Sequence, residues 1–146
     1  MVRSAQRGFT MIELVVVIVI LGILAAFALP RFMGMEVQAR VAAANGMSGS
    51  VRSAANMAHG VWLASGNPAT ITADGAPAAI TITNGYPDAT GISNLIQDKT
   101  GFTVTVGAST TFSPTGVKTP ATCRVVYTPA TAAASFQLVT TVTNCN

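Results

Sequence analysis

One acid stands at the edge of the most apolar part of this chain: Glu13 directly precedes the run LVVVIVILGILAAFAL, Leu14 to Leu29. An ionisable group in a membrane-length segment marks a functional site whose partner must be named, because the bare charge is costly there. The other candidates for chemistry are sparse. His59 is the single histidine, and it falls on a polar helical stripe with no cysteine or acid at ligand spacing. It reads as a solvated surface residue rather than a metal ligand or general base. Asp74, Asp88 and Asp98 are scattered without EF-hand spacing, which leaves open only a calcium site assembled from loops. Trp62 reads as core rather than as a ligand platform. No glycine-rich phosphate loop or nucleophile elbow occurs. The residues therefore predict no catalytic site, no cofactor and no dedicated metal site, and an enzyme is not expected.

Two cysteines, Cys123 and Cys145, frame the C-terminal end. An even count beside an export-type N-terminus points to a disulfide formed in an oxidising compartment; two isolated structural thiols are the alternative. A bond between them would close a loop of about 23 residues and contribute roughly 3 kcal/mol on the chain-entropy estimate.

The elements that must position these residues are of two kinds. At 146 residues the chain has room for one modest globular domain and one long element outside it. Its positive mean hydropathy misleads as an average, because the apolar excess is concentrated between Leu14 and Leu29 while the chain after Gly66 is rich in Thr, Ala, Ser, Gly and Asn. The formal charge is +3, from eight basic and five acidic residues. Arg3 and Arg7 precede the apolar run, and without them six basic side chains face five acidic ones. No basic patch argues for nucleic acid.

Three roles are open to the N-terminus on its residues. A secretory signal peptide is one, since Ala26-Phe27-Ala28 fits a small-x-small cleavage site, but Glu13 and the helical pattern that resumes beyond Pro30 speak against it. A transmembrane anchor is the second. Twelve Leu, Ile, Val and Phe residues between Leu14 and Leu29 contribute roughly −4 to −7 kcal/mol to insertion, against about +3 for one ionised carboxylate. A helix from Phe9 to Leu29 would run about 31 Å, near the hydrocarbon thickness of about 30 Å. Arg3 and Arg7 would hold the short N-terminal side in the cytoplasm.

The third role is carried by RGFTMIELVVVIVILGILAAFALP, Arg7 to Pro30, which resembles the N-terminus of the type IV prepilin family. The resemblance implies that residues 1–8 are a basic leader, that a prepilin peptidase cuts between Gly8 and Phe9 and methylates the new Phe9 amine, and that Glu13 is the assembly glutamate at the fifth position of the mature chain. The α-amine of Phe9 is then the natural partner of Glu13, supplied by a neighbouring subunit in a low-dielectric filament core. The family's helix can loosen on assembly between a glycine and a proline, here Gly22 and Pro30, and Pro30 itself predicts a bend.

The implied protein is a homo-oligomeric helical filament subunit. Its precursor is held in the bacterial inner membrane through residues 9–29, handled by an inner-membrane pilus assembly platform, and displayed as an extracellular pilus or fimbrium for surface attachment. A pseudopilin of a type II secretion system is the alternative within the family, and a membrane-tethered binding or enzymatic domain that borrowed the leader is the alternative outside it. The family's habit of closing a C-terminal surface region with a disulfide favours the pilin, with Arg124 to Asn144 as that region here. NGYPDATGI, Asn84 to Ile92, is similar to the mannose-sensitive haemagglutinin pilin subgroup.

The expected fold is α+β: one long helix over 9–63, with 9–29 apolar and 30–63 amphipathic, and a head over 64–146 built on a small antiparallel sheet. A helix of that length spans roughly 80 Å, more than a domain of this size needs. Met47, Val51, Ala54, Ala58 and Val61 form the predicted buried stripe, opposite Asn45, Ser48, Arg52, Asn56 and His59. Glu36 and Arg40 are spaced to pair. Glycines 34, 46, 49 and 60 weaken the isolated helix and permit close helix approach. Gly66-Asn67-Pro68 ends it. Ile71 and Ile80/Ile82 read as short extended pieces, and Ile92, Leu95 and Ile96 as a brief helix. Strands are predicted at Phe102–Val106, Cys123–Tyr127 and Ser135–Val142.

Overall fold

The computed structural model describes residues 8–146, with the side chains of 29–33 outside the description. The expectations placed on Arg3, Arg7 and the Pro30 side chain lie outside it. The chain divides into two units, residues up to Glu36 and Val37–Asn146.

α1 spans Met11–Ala64, and in the first unit its residues from Leu14 to Phe27 expose apolar side chains on every side. Thr10 and Glu13 start it with a capping box. The Thr10 N–H and hydroxyl both donate to Glu13 Oε2, at 2.9 and 2.8 Å, and Thr10 Oγ1 accepts from the Glu13 N–H at 3.3 Å. The span Met11–Ala28 is long and apolar enough to cross a membrane, and none of it is buried within the chain. α1 is one helical element through Gly22 and Pro30.

In the second unit α1 supplies the spine of the head. Its buried residues are Ala44, Met47, Val51, Ala55 and Ala58. This is the predicted stripe turned toward 48, 55, 59 and 62, for which the alternating steps of three and four residues leave room. Val61 is exposed and Ala55 takes the inner place that spacing gave to Ala54. Ser48 also faces inward, accepting a bond from Thr140 Oγ1 at 2.9 Å. The helix closes in a Schellman motif: Gly66 N–H donates to Leu63 O and Asn67 N–H to Trp62 O, with Gly66 at φ +78°.

Two antiparallel sheets follow. The first joins β1 (Thr70–Ile71), β2 (Ile80–Thr83) and β3 (Tyr86–Pro87). Thr83 pairs with Tyr86, so Asn84-Gly85, both at positive φ, form a two-residue type I′ turn. α2 (Ala89–Leu95) is capped by the Asp88 carboxylate accepting from the Gly91 N–H. The second sheet runs in order β4 (Phe102–Val106), β5 (Thr110–Pro114), β6 (Cys123–Thr128) and β7 (Gln137–Val142). A 3₁₀ turn, Pro120–Thr122, precedes β6. The expected strand at Ser135 begins two residues later, and β5 adds a strand to those expected, its TTFSP sequence lacking the apolar alternation of its neighbours.

Phe112, Val125 and Tyr127 from this sheet pack with Ile92 and Ile96 against Ala44, Met47, Val51 and Ala55. A second cluster gathers Ala58, Ile71, Ile80 and Ile82, with Trp62 against it. Each fully buried Phe, Ile or Val contributes roughly 1.5–3 kcal/mol. Tyr127 is buried with its hydroxyl donating to Pro87 O at 2.7 Å, and Thr110 donates to Ala89 O. Cys123 and Cys145 are disulfide-bonded, with Cα atoms 5.0 Å apart. The bond ties the final residues to β6, and Asn144 N–H donates to Thr122 O beside it.

Candidate functional site

The candidate residues fall in two groups. Gly8, Phe9 and Glu13 lie together at the start of the apolar helix, whereas Cys123 and Cys145 are in the head. Phe9 is 88% exposed, in a segment with no inward face. Glu13 shares a shallow apolar hollow with Phe9, Ile12, Val16 and Val17. Both bonds from Thr10 converge on Oε2, so Oε1 of Glu13 has no hydrogen-bond partner among the described residues. One carboxylate oxygen therefore fixes the helix start while the other faces outward. Cleavage after Gly8 would create an amine on Phe9, one residue from the Thr10 amide that already bonds Glu13. The signal for the capping box, Thr at one position and Glu three later, is in the sequence but is easily overlooked when Glu13 is taken only as a membrane acid.

Gly22 meets no chain atom within 4 Å of where a Cβ would stand, and the same holds for Gly34, Gly46, Gly49 and Gly60. No contact inside the chain demands these glycines. The small surface they present is available to another helix.

His59 departs from expectation. Its ring stacks on Tyr86 at 4.4 Å and lies 5.5 Å from Trp62, and Nδ1 is 2.7 Å from Gly85 O. It is half-buried between α1 and the β2–β3 turn rather than solvated. The Asn84-Gly85 dipeptide that makes this turn is itself a strong short-range hairpin signal. The aspartates serve turns and a cap. Asp88 caps α2, and Asp98 accepts from the Thr100 N–H at 2.9 Å, a bond that holds its carboxyl below the usual carboxylate range. Among the described residues no three His, Cys, Asp or Glu side chains are grouped to hold a metal.

Comparison with known proteins agrees with the N-terminal geometry. The family described as the prokaryotic N-terminal methylation motif matches residues 3–29. Fimbrial protein EcpC of Eikenella corrodens is 38% identical over 76 residues, half of each chain. Type IV major fimbrial protein FimA of Dichelobacter nodosus is 40% identical over 72 residues, 47% of this chain and 43% of the relative. Type II secretion system core protein G of Pseudomonas aeruginosa is 47% identical over 57 residues, 39% of this chain and 40% of the relative. The chain thus spans about half the length, or less, of these relatives. No solved structure matches it. With the methylation motif at its start, a long apolar helix, antiparallel sheets and a C-terminal disulfide, the chain fits the α+β fold of type IV pilins and is similar over its N-terminal part to pilin-type structural subunits.

Proposed function

We propose that this chain is the structural subunit of a type IV pilus. It is held in the inner membrane by Phe9–Leu29, cleaved between Gly8 and Phe9 by prepilin peptidase, N-methylated on Phe9, passed to an inner-membrane assembly platform, and polymerised for surface attachment. The observation that carries this is a helix whose apolar residues are exposed on every side, Leu14 at 60% and Ile18 at 56% among them, around one carboxylate with an unbonded oxygen. In a bilayer lipid covers that surface; in a filament other copies do. Glu13 Oε1 then takes the α-amine of a neighbour's Phe9, setting axial register. Burial makes such a pair weak evidence for net stability, but removing one partner costs about 3–5 kcal/mol. Gly22 to Pro30 is the segment proposed to loosen on assembly, where a glycine, and a proline that cannot donate, weaken the helix.

Mass spectrometry of the protein from sheared surface fibres tests this directly. The expected N-terminus is N-methylated Phe9; a chain beginning after Ala28, or never recovered in polymer, refutes the proposal. The second reading is a pseudopilin of a type II secretion system, favoured by the similarity to core protein G. Abundance separates the two. A pilin is recovered in bulk from sheared fibres, and a pseudopilin is scarce, stays with the membrane and is required for export of other proteins.

A further inference from the structure

The four-stranded sheet turns Phe112, Val125 and Tyr127 toward α1 and presents its other face outward. Strand register sets two rows across that outer face. Thr103 pairs with Ser113 and Arg124 with Thr141, and continuing the β5–β6 register by one step brings Ser113 beside Arg124. The next row is Thr105, Thr111, Val126 and Val139. Thr103, Thr105, Thr111, Ser113, Pro120 and Arg124 are among the residues that line a recess of about 320 Å³.

One buried polar group in this recess is unspent. Arg124 Nε is buried and has no hydrogen-bond partner, and Arg124 forms no ion pair among the described residues. Ser113 is 5% exposed, and its hydroxyl, which is not itself among the buried unbonded atoms, adds a polar group to the lining. A buried donor left unbonded is destabilising, so Nε marks a guanidinium short of acceptors, and its Nη groups, which are not among the buried unbonded atoms, are the ones a ligand in the recess can reach. The lining holds one cation, no carboxylate and four hydroxyls. A guanidinium matches a carboxylate in two parallel bonds. Hydroxyls of Thr and Ser both donate and accept, which suits a ligand that carries hydroxyls of its own. A cationic ligand finds no counter-charge, and an aromatic one finds no ring to stack on. The volume lies at the small end of ligand pockets, about 300–1,000 Å³.

From this we infer that the outer face of β4–β6 binds a sugar acid, with the carboxylate on Arg124 and the ring hydroxyls on the Thr/Ser rows. This site does not depend on the filament reading. The test is isothermal titration of the full chain in detergent with trigalacturonate, monomeric galacturonate and neutral galactotriose. Trigalacturonate should bind saturably and galactotriose at least about tenfold more weakly, the span of one charge-assisted bond. Arg124→Gln should lose at least about tenfold, Arg124→Lys less, and Thr105→Val a few-fold, with unfolding temperatures unchanged. Equal binding of the monomer assigns a free sugar acid, and binding of the trimer alone assigns one within a polysaccharide; either upholds the site. No saturation below about 10 mM, equal binding of galactotriose, or undiminished binding by Arg124→Gln overturns it. If Arg124→Gln fails to fold, Arg124→Lys and Thr105→Val carry the test on their own.

Discussion

Glu13 starts its helix, and under the proposed function it also supplies a counter-charge in the filament; the capping geometry allows the two roles to be separated. Glu13→Ala removes both the bonds from Thr10 and the charge. Glu13→Gln keeps an oxygen to accept from the Thr10 N–H but carries no charge. Thr10→Val deletes the hydroxyl that donates at 2.8 Å and accepts at 3.3 Å while leaving the carboxylate ionised. Loss of a cap costs about 0.5–2 kcal/mol, spread over a helix of 54 residues that has other support. Loss of a buried counter-charge costs about 3–5 kcal/mol per subunit contact, or roughly 150- to 5,000-fold in the assembly constant. Membrane insertion, measured by fractionation, should be unaffected in all three. Sheared-fibre yield should collapse in Glu13→Ala and Glu13→Gln and stay near normal in Thr10→Val. Normal fibres from Glu13→Gln, or a Thr10→Val variant as defective as Glu13→Ala, would show that Glu13 only starts the helix, and the counter-charge argument would fail.

Further outcomes concern the head. Replacing both cysteines by serine should lower stability by about 3 kcal/mol and the unfolding temperature by roughly 10–20 °C, read by thermal circular dichroism. Burial, with Asp88 and Tyr86 nearby, pushes the Tyr127 phenol up from its ordinary value of 10.0. A phenol raised in the folded state keeps its proton while the unfolded chain releases it. Its contribution is therefore complete below about pH 10 and is lost as pH climbs toward the folded value. Denaturant titration should show this alkaline fall, and Tyr127→Phe should flatten it at the cost of about 1 kcal/mol for the bond to Pro87. Gly85→Ala places a Cβ 3.1 Å from both His59 and Trp62 at φ +83°. It should cost about 1–3 kcal/mol in denaturant unfolding.

The parts legible in the sequence were those whose signal is local or strongly periodic. The apolar run, the helix end at Gly66, the strands beginning at Phe102 and Cys123 and the short α2 follow from hydropathy, turn chemistry and β-branched runs. The pairing of Cys123 with Cys145 followed from there being two. The orientation of α1 was harder, because an alanine-rich stripe offers weak contrast between Ala54 and Ala55, and only the shape of the facing sheet decides which turns inward. His59 was misplaced for a related reason: its ring is held by Tyr86, Trp62 and Gly85, which only the β2–β3 turn brings to it. β5 has muted alternation because one of its inward residues, Thr110, is itself polar and is buried through its bond to Ala89 O, which leaves Phe112 alone to mark the inner face. The outer rows could not be read at all without the register of three strands.

A helix start that is nowhere buried among the described residues has a practical corollary for the bench. Melting curves of the single protein report on Phe112, Val125 and the disulfide, and are blind to Val15, Ile18 or Leu24. Substitutions at those apolar sites can leave every solution property of the subunit intact and still decide whether a thread grows, so they must be screened by electron microscopy of whole cells rather than by calorimetry.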